Sequence, residues 1–173
     1  MKKKRFSIFA VIFSVVFLSH CLSLFAEEYA YKYKNINDIE DAHKFQQLRT
    51  RLNGKIRPKE KGDINFAIGE YYFRNKVFYD SRYVFAQCIS ENPIGINTLL
   101  AHIYLYKLAK LQDMHSEAGD IAREVLKEQF VLLFNKYKML KYTSLYGNEY
   151  EVRYFVDKIE VFLNGDLFEE IKP

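Results

Sequence analysis

Apolar positions recur at three- and four-residue steps along most of the chain, the period of helices that bury one face. From Asp38, residues Ile39, Ala42, Phe45, Leu48 and Leu52 form such a stripe, and Asn53-Gly54 offers a stop. KIRPKEKG follows as a charged loop punctuated by Pro58 and Gly62. Asp63 is placed to cap a helix over INFAIGEYYFR, Asn75-Lys76 makes a turn, and VFYDSRYVFAQCIS is the next helix. Glu91-Asn92-Pro93 ends it, because the residue before a proline avoids the helical region. Asn97 can cap TLLAHIYLYKLAKL, and Ser116 can cap a helix from Glu117 to about Glu128. FVLLFNKYKMLKYTSLY reads as a further helix ended by Gly147. A last one opens at Asn148 with Glu149 and Glu151 in its first turn. Its stripe is Val152, Phe155, Val156, Ile159, Phe162 and Leu163, closed by Asn164-Gly165. A β-hairpin over VFLNGDLF competes, since Asn-Gly between apolar runs favours a tight turn. Between 152 and 163 an alternation of two fails, with Asp157 and Ile159 on one face and Lys158 and Val161 on opposite ones, so the helix is preferred. The expected fold is all-α, built from antiparallel helical hairpins over residues 38–168.

The first residues stand apart from this pattern. MKKKR is a basic cluster, and FSIFAVIFSVVFLSHCLSLFA is a long apolar run behind it, together the layout of an export signal or membrane anchor over 1–26. Cleavage after Ala26, cleavage after Ser23, and retention of Phe6 to Phe25 as a bilayer-crossing helix all remain open. Leu18-Ser19-His20-Cys21 also resembles the bacterial lipobox, which makes Cys21 the candidate lipidation site, although His20 departs from that pattern. EEYAYKYKNIN, residues 27–37, has no clear period and reads as a tether. The localisation expected is outside the cytoplasm, with the membrane engaged only through the N-terminal segment.

Charge takes its meaning from that division. The formal net charge is +4, and Lys2, Lys3, Lys4 and Arg5 supply four positive charges in a segment without acids. The remainder is therefore neutral overall, and no excess of cations is left to neutralise phosphates, which argues against a nucleic-acid partner. Beyond the signal the one cysteine is Cys88, so no internal disulfide can form and the fold must rest on its core.

GEYYFRNKVFYDSRYVFAQCISENP carries the most informative spacing. Ile68-Gly69 is followed by Tyr72, then Ser81, Phe85, Cys88 and Pro93, which resembles the tetratricopeptide repeat, a helix-turn-helix unit. Asn65 stands where that family usually has Trp or another large residue, and Ser81 replaces Ala. The resemblance is good over 62–95 and degenerate over 96–129, where Tyr106 aligns with Tyr72 and, after a three-residue insertion, Ala118 and Ala122 align with Ser81 and Phe85. Mechanically, Gly69 and Ser81 let two backbones approach, Tyr72 and Phe85 fill the space beside that contact, Cys88 keeps the next helix close, and Pro93 stops the second helix. The resemblance implies a short right-handed superhelix with flanking helices and a concave groove that binds a partner protein or peptide.

In that frame the groove residues are Phe66, Glu70, Phe73 and Arg74, followed by Leu100, Tyr104 and Lys107 on the next first helix. Alternatively, the 38–53 helix or the C-terminal helix fills the groove and buries Phe66 and Phe73. His43, His102 and His115 form no metal-ligand spacing, and there is no phosphate loop or nucleophile elbow. No catalytic residue, metal or cofactor is therefore expected. The function anticipated is a non-catalytic scaffold or adaptor of a bacterial cell envelope. The alternatives are a structural subunit with a permanent interface and, less favoured, an envelope hydrolase.

Overall fold

The computed structural model describes residues 38–126, 139–155 and 157–172, all within one unit that spans Tyr33–Pro173. The segments read as signal and tether, with Cys21, lie outside the described residues, as do 127–138, Val156 and Pro173. Five helices come first: α1 (Asp38–Leu52), α2 (Pro58–Arg74), α3 (Phe78–Glu91), α4 (Ile96–Leu111) and α5 (His115–Val125). Four strands follow: β1 (Met139–Thr143), β2 (Glu149–Tyr154), β3 (Ile159–Leu163) and β4 (Asp166–Ile171). They make one antiparallel meander in the order β1-β2-β3-β4.

The all-α expectation is thus corrected: the protein is mixed, helices followed by a sheet. Residues 139–143, 149–154 and 159–163 form strands where the last two helices were expected. The physical reason lies in two short alternations that do not share a phase. Tyr150 and Val152 point inward from β2, and Ile159, Val161 and Leu163 point inward from β3. A turn between them, closed by Phe155 N–H donating to the Lys158 carbonyl, resets the register, so a single alternation tested across 152–163 fails. The apparent helical stripe mixed two faces of the sheet: Val152 and Ile159 are buried, whereas Phe155 is exposed and Phe162 half-buried.

Asn164-Gly165 is the tight turn between β3 and β4, with φ of 51° and 92° at its two residues. Positive φ at both centres matches the twist of paired strands and favours Asn-Gly. β4 then carries a bulge. Val161 pairs with Glu169 and Phe162 with Leu167, which leaves Phe168 as the extra residue. Phe168 and its neighbour Glu169 are consequently both buried, where an unbroken strand would send one outward.

The helices start and stop for local reasons. α2 begins at Pro58, six residues ahead of the expected start, because proline suits the first helical turn. Asp63 is therefore inside the helix and not its cap, and its Oδ1 accepts from Asn97 Nδ2 at 3.1 Å and Tyr142 OH at 3.0 Å. α2 and α3 are joined through Asn75-Lys76, and Lys76 has φ of 61°. Where they cross, a Cβ on Gly69 would lie 2.6 Å from the Phe85 ring. Ser81 contributes more than small size there, since its hydroxyl donates to the Gly69 carbonyl at 3.0 Å. Cys88 is buried among α2, α3 and the start of α4, and burial pushes its thiol up to about 12. Pro93 is exposed in the α3–α4 connection, just past the end of α3.

The main core lies between helices and sheet. Phe66 meets Phe85, Tyr104, Tyr142 and Tyr150 with ring centroids 5.5 to 5.9 Å apart. Tyr104 stacks on Phe85 at 4.6 Å and meets Phe168 of β4 at 4.8 Å. A smaller cluster on the other side of α2 holds Phe45 and Leu48 of α1 against Ile64, Ala67 and Ile68.

Candidate functional site

α2 presents two side-chain stripes, and the structure treats them differently. The first is the expected groove. Phe66, Glu70, Phe73, Leu100, Tyr104 and Lys107 do lie on one surface of α2 and α4, but all six are buried. The sheet covers them, not α1 or a C-terminal helix. Phe73 meets Phe168, and Lys107 Nζ donates to the Phe168 carbonyl and to Glu169 Oε2, each at 3.0 Å. Lys110 Nζ donates to Glu169 Oε1 at 2.7 Å, so the bulge on β4 is what delivers a carboxylate to both lysines. Arg74 is half-buried, ion-paired with the buried Asp41 of α1, and its guanidinium lies 5.5 Å from the centre of the Tyr146 ring.

Glu70 is the strongly perturbed carboxyl of this interface. Its Oε1 accepts from Tyr150 OH at 2.5 Å and from Asn148 Nδ2 at 2.8 Å, and Tyr150 OH is 2.6 Å from Tyr104 OH. Burial raises its carboxyl from 4.5 to about 7, and the bonds from Tyr150 and Asn148 and the charge of Lys44 only partly oppose this. A carboxyl that titrates near neutrality can act as an acid or base when substrate reaches it. Glu70 is 2 % exposed under a covering sheet, so the arrangement locks helix to strand and offers no access. Tyr142 is likewise held protonated, its hydroxyl pushed far above the usual tyrosine range by burial and by Asp63.

The second stripe opens onto a cleft of about 660 Å³ between α1 and α3, with α2 as its floor. Each helix contributes residues at helical spacing: Lys61, Asn65, Ile68 and Tyr72 from α2, Gln46, Arg49 and Thr50 from α1 with Asn53 just past its end, and Asp80, Tyr83, Val84 and Gln87 from α3. That size suits a small ligand or a short stretch of chain. Lys61 is ion-paired with Glu91. Arg49 lies 5.7 Å from the centre of the Phe45 ring, and neither it nor Asp80 has an ion pair among the described residues.

Asn65 lies among the residues that line this cleft. It is 5 % exposed, and its side-chain amide has no hydrogen-bond partner among the described residues. Its polar atoms reach the solvent of the cleft, so water pairs with them in the free protein and a ligand's polar groups can take that water's place. The amides of Gln46, Asn53 and Gln87 also line the cleft and are unpaired among the described residues. Sequence reasoning missed this site, although Asn65 among apolar neighbours was its visible signal.

Among the described residues no cluster of His, Cys, Asp or Glu could hold a metal ion, and no helix is long and apolar enough to cross a membrane. No protein-family model, curated protein or solved structure matches the chain.

Proposed function

We propose that this chain is a non-catalytic binding module of a bacterial cell envelope. It is exported by its N-terminal segment and holds a partner protein or peptide in the cleft between α1 and α3. The observation that carries this reading is Asn65, a 5 % exposed residue on the floor of the open cleft whose amide has no bond to another described residue. Support comes from the repeat-like α2–α3 hairpin, with Phe85 packed on Gly69 and Ser81 bonded across the crossing. The binding face differs from the one expected of a tetratricopeptide array, because the sheet occupies that groove.

A second reading, a structural subunit with a permanent interface, draws on Tyr79 and Tyr83, which are 83 % and 62 % exposed on α3. It requires a large apolar footprint and an isolated chain that self-associates or aggregates.

The test places a photo-crosslinking amino acid at Tyr83 in the native envelope, with a control at Phe162 on the outer face of the sheet. A discrete protein adduct from position 83 that Asn65→Trp abolishes supports the cleft. Equal adducts from both positions, or adducts indifferent to Asn65→Trp, overturn it.

A further inference from the structure

The lining of the cleft specifies the form of its occupant, an inference that rests on the binding-module reading. Four amide side chains line it: Gln46 of α1, Asn53 just past its end, Asn65 of α2 and Gln87 of α3. A side-chain amide presents one acceptor oxygen and an N–H₂ donor in a plane, the same pair of functions as a peptide unit. A polypeptide whose own main-chain groups are tied up in a helix has nothing to offer such groups. An extended segment has free N–H and C=O groups on both edges.

The walls add a charge pattern. Arg49 stands on the α1 side and Asp80 on the α3 side, neither with an ion pair among the described residues. Successive side chains of an extended segment point to opposite sides. An acidic side chain turned toward α1 and its basic neighbour turned toward α3 would meet both. Along α3, Asp80 to Gln87 covers ~10 Å, which matches about three residues of extended chain.

We propose that the cleft binds an extended polypeptide segment through its main chain, and that an adjacent acidic and basic residue in that segment engage Arg49 and Asp80. Tyr72 on the floor and Tyr83 on the wall supply ring surface for the intervening peptide planes. The occupant is thereby distinguished from a helix, which would want an apolar groove, and from a glycan.

The experiment is a selection from a library of capped, randomised hexapeptides on the exported chain, repeated on Asn65→Ala, Gln87→Ala and Arg49→Glu. Asn65 has no bond in the described structure to lose, and thermal melts verify that each variant is folded. The expected result is enrichment of peptides with neighbouring acid and base. Their affinity should fall tenfold or more with Asn65→Ala, and by a similar factor when the central peptide bonds are N-methylated. Arg49→Glu should reverse the preference for the acid. Three results would overturn the proposal: no enrichment over the variants, unchanged binding of N-methylated peptides, or displacement of the selected peptides by envelope oligosaccharides. A Tyr83 adduct without peptide enrichment sinks the extended-segment mode and leaves the binding module standing. Absence of both sinks both.

Discussion

The two faces of α2 make the useful comparison. One face carries Phe66, Glu70 and Phe73 and is sealed by the sheet, its acid bonded by Tyr150 and Asn148. The other carries Asn65, Ile68 and Tyr72 and borders an open cleft with an unpaired amide. In sequence both look like apolar helix stripes with one polar interruption. The difference is whether the rest of the chain supplies a cover and partners for the interruption. Covered by the sheet, the interruption is part of the helix–sheet packing; left at an open cleft, it faces solvent and can meet a ligand.

This contrast can be broken by perturbing each face in turn. The largest effect belongs to the sealed face. Phe66→Ala removes a ring packed against four aromatic neighbours and should cost about 3–5 kcal/mol in denaturant unfolding. A loss below about 1 kcal/mol would mean that the sheet does not hold the helices as described.

Glu70 gives a comparable effect read through pH. Its folded carboxyl binds a proton up to about pH 7, whereas an exposed one lets go near 4.5. Between these values the folded state holds more protons than the unfolded state, so stability falls as pH rises through this window and is level above it. The loss amounts to about 3 kcal/mol. Glu70→Gln is neutral at every pH and keeps an oxygen for Tyr150 and Asn148. It should flatten this part of the stability profile, and identical profiles for both proteins would show that Glu70 is not buried under the sheet.

Gly69→Leu should cost about 1–3 kcal/mol, because the added side chain meets the Phe85 ring at the α2–α3 crossing. An unchanged melting temperature would show that the two helices do not approach there. The smallest stability effect belongs to the open face. Gln87→Ala should alter unfolding by less than about 0.5 kcal/mol while lowering the yield of the Tyr83 adduct. A large loss of stability there would place Gln87 in the core and remove the contrast between the faces.

Much of the helical half was readable in the chain. The stripe Phe45, Leu48 and the spacing Gly69, Ser81, Phe85 located α1, α2 and α3, since each repeats over several turns and leaves a strong period. The sheet was obscured for a definite reason. Its strands are five or six residues long, separated by turns that reset the alternation, and β4 contains a bulge that breaks it again. A helical period could be drawn through residues of both faces, although Asn164-Gly165 correctly suggested a tight turn.

By itself the sequence determined the helical hairpins of the first half, the need for a small residue at position 69, and an Asn among apolar neighbours at position 65. These follow from local periodicity and side-chain size. Tertiary structure alone decided which face of α2 would be covered. The sheet that covers Phe66 and Glu70 comes from residues about 80 positions away, among them Tyr150, which bonds Glu70 across that separation. No local pattern encodes such a pairing. The cleft on the opposite face is what remains where nothing in the described structure came to pair with Asn65.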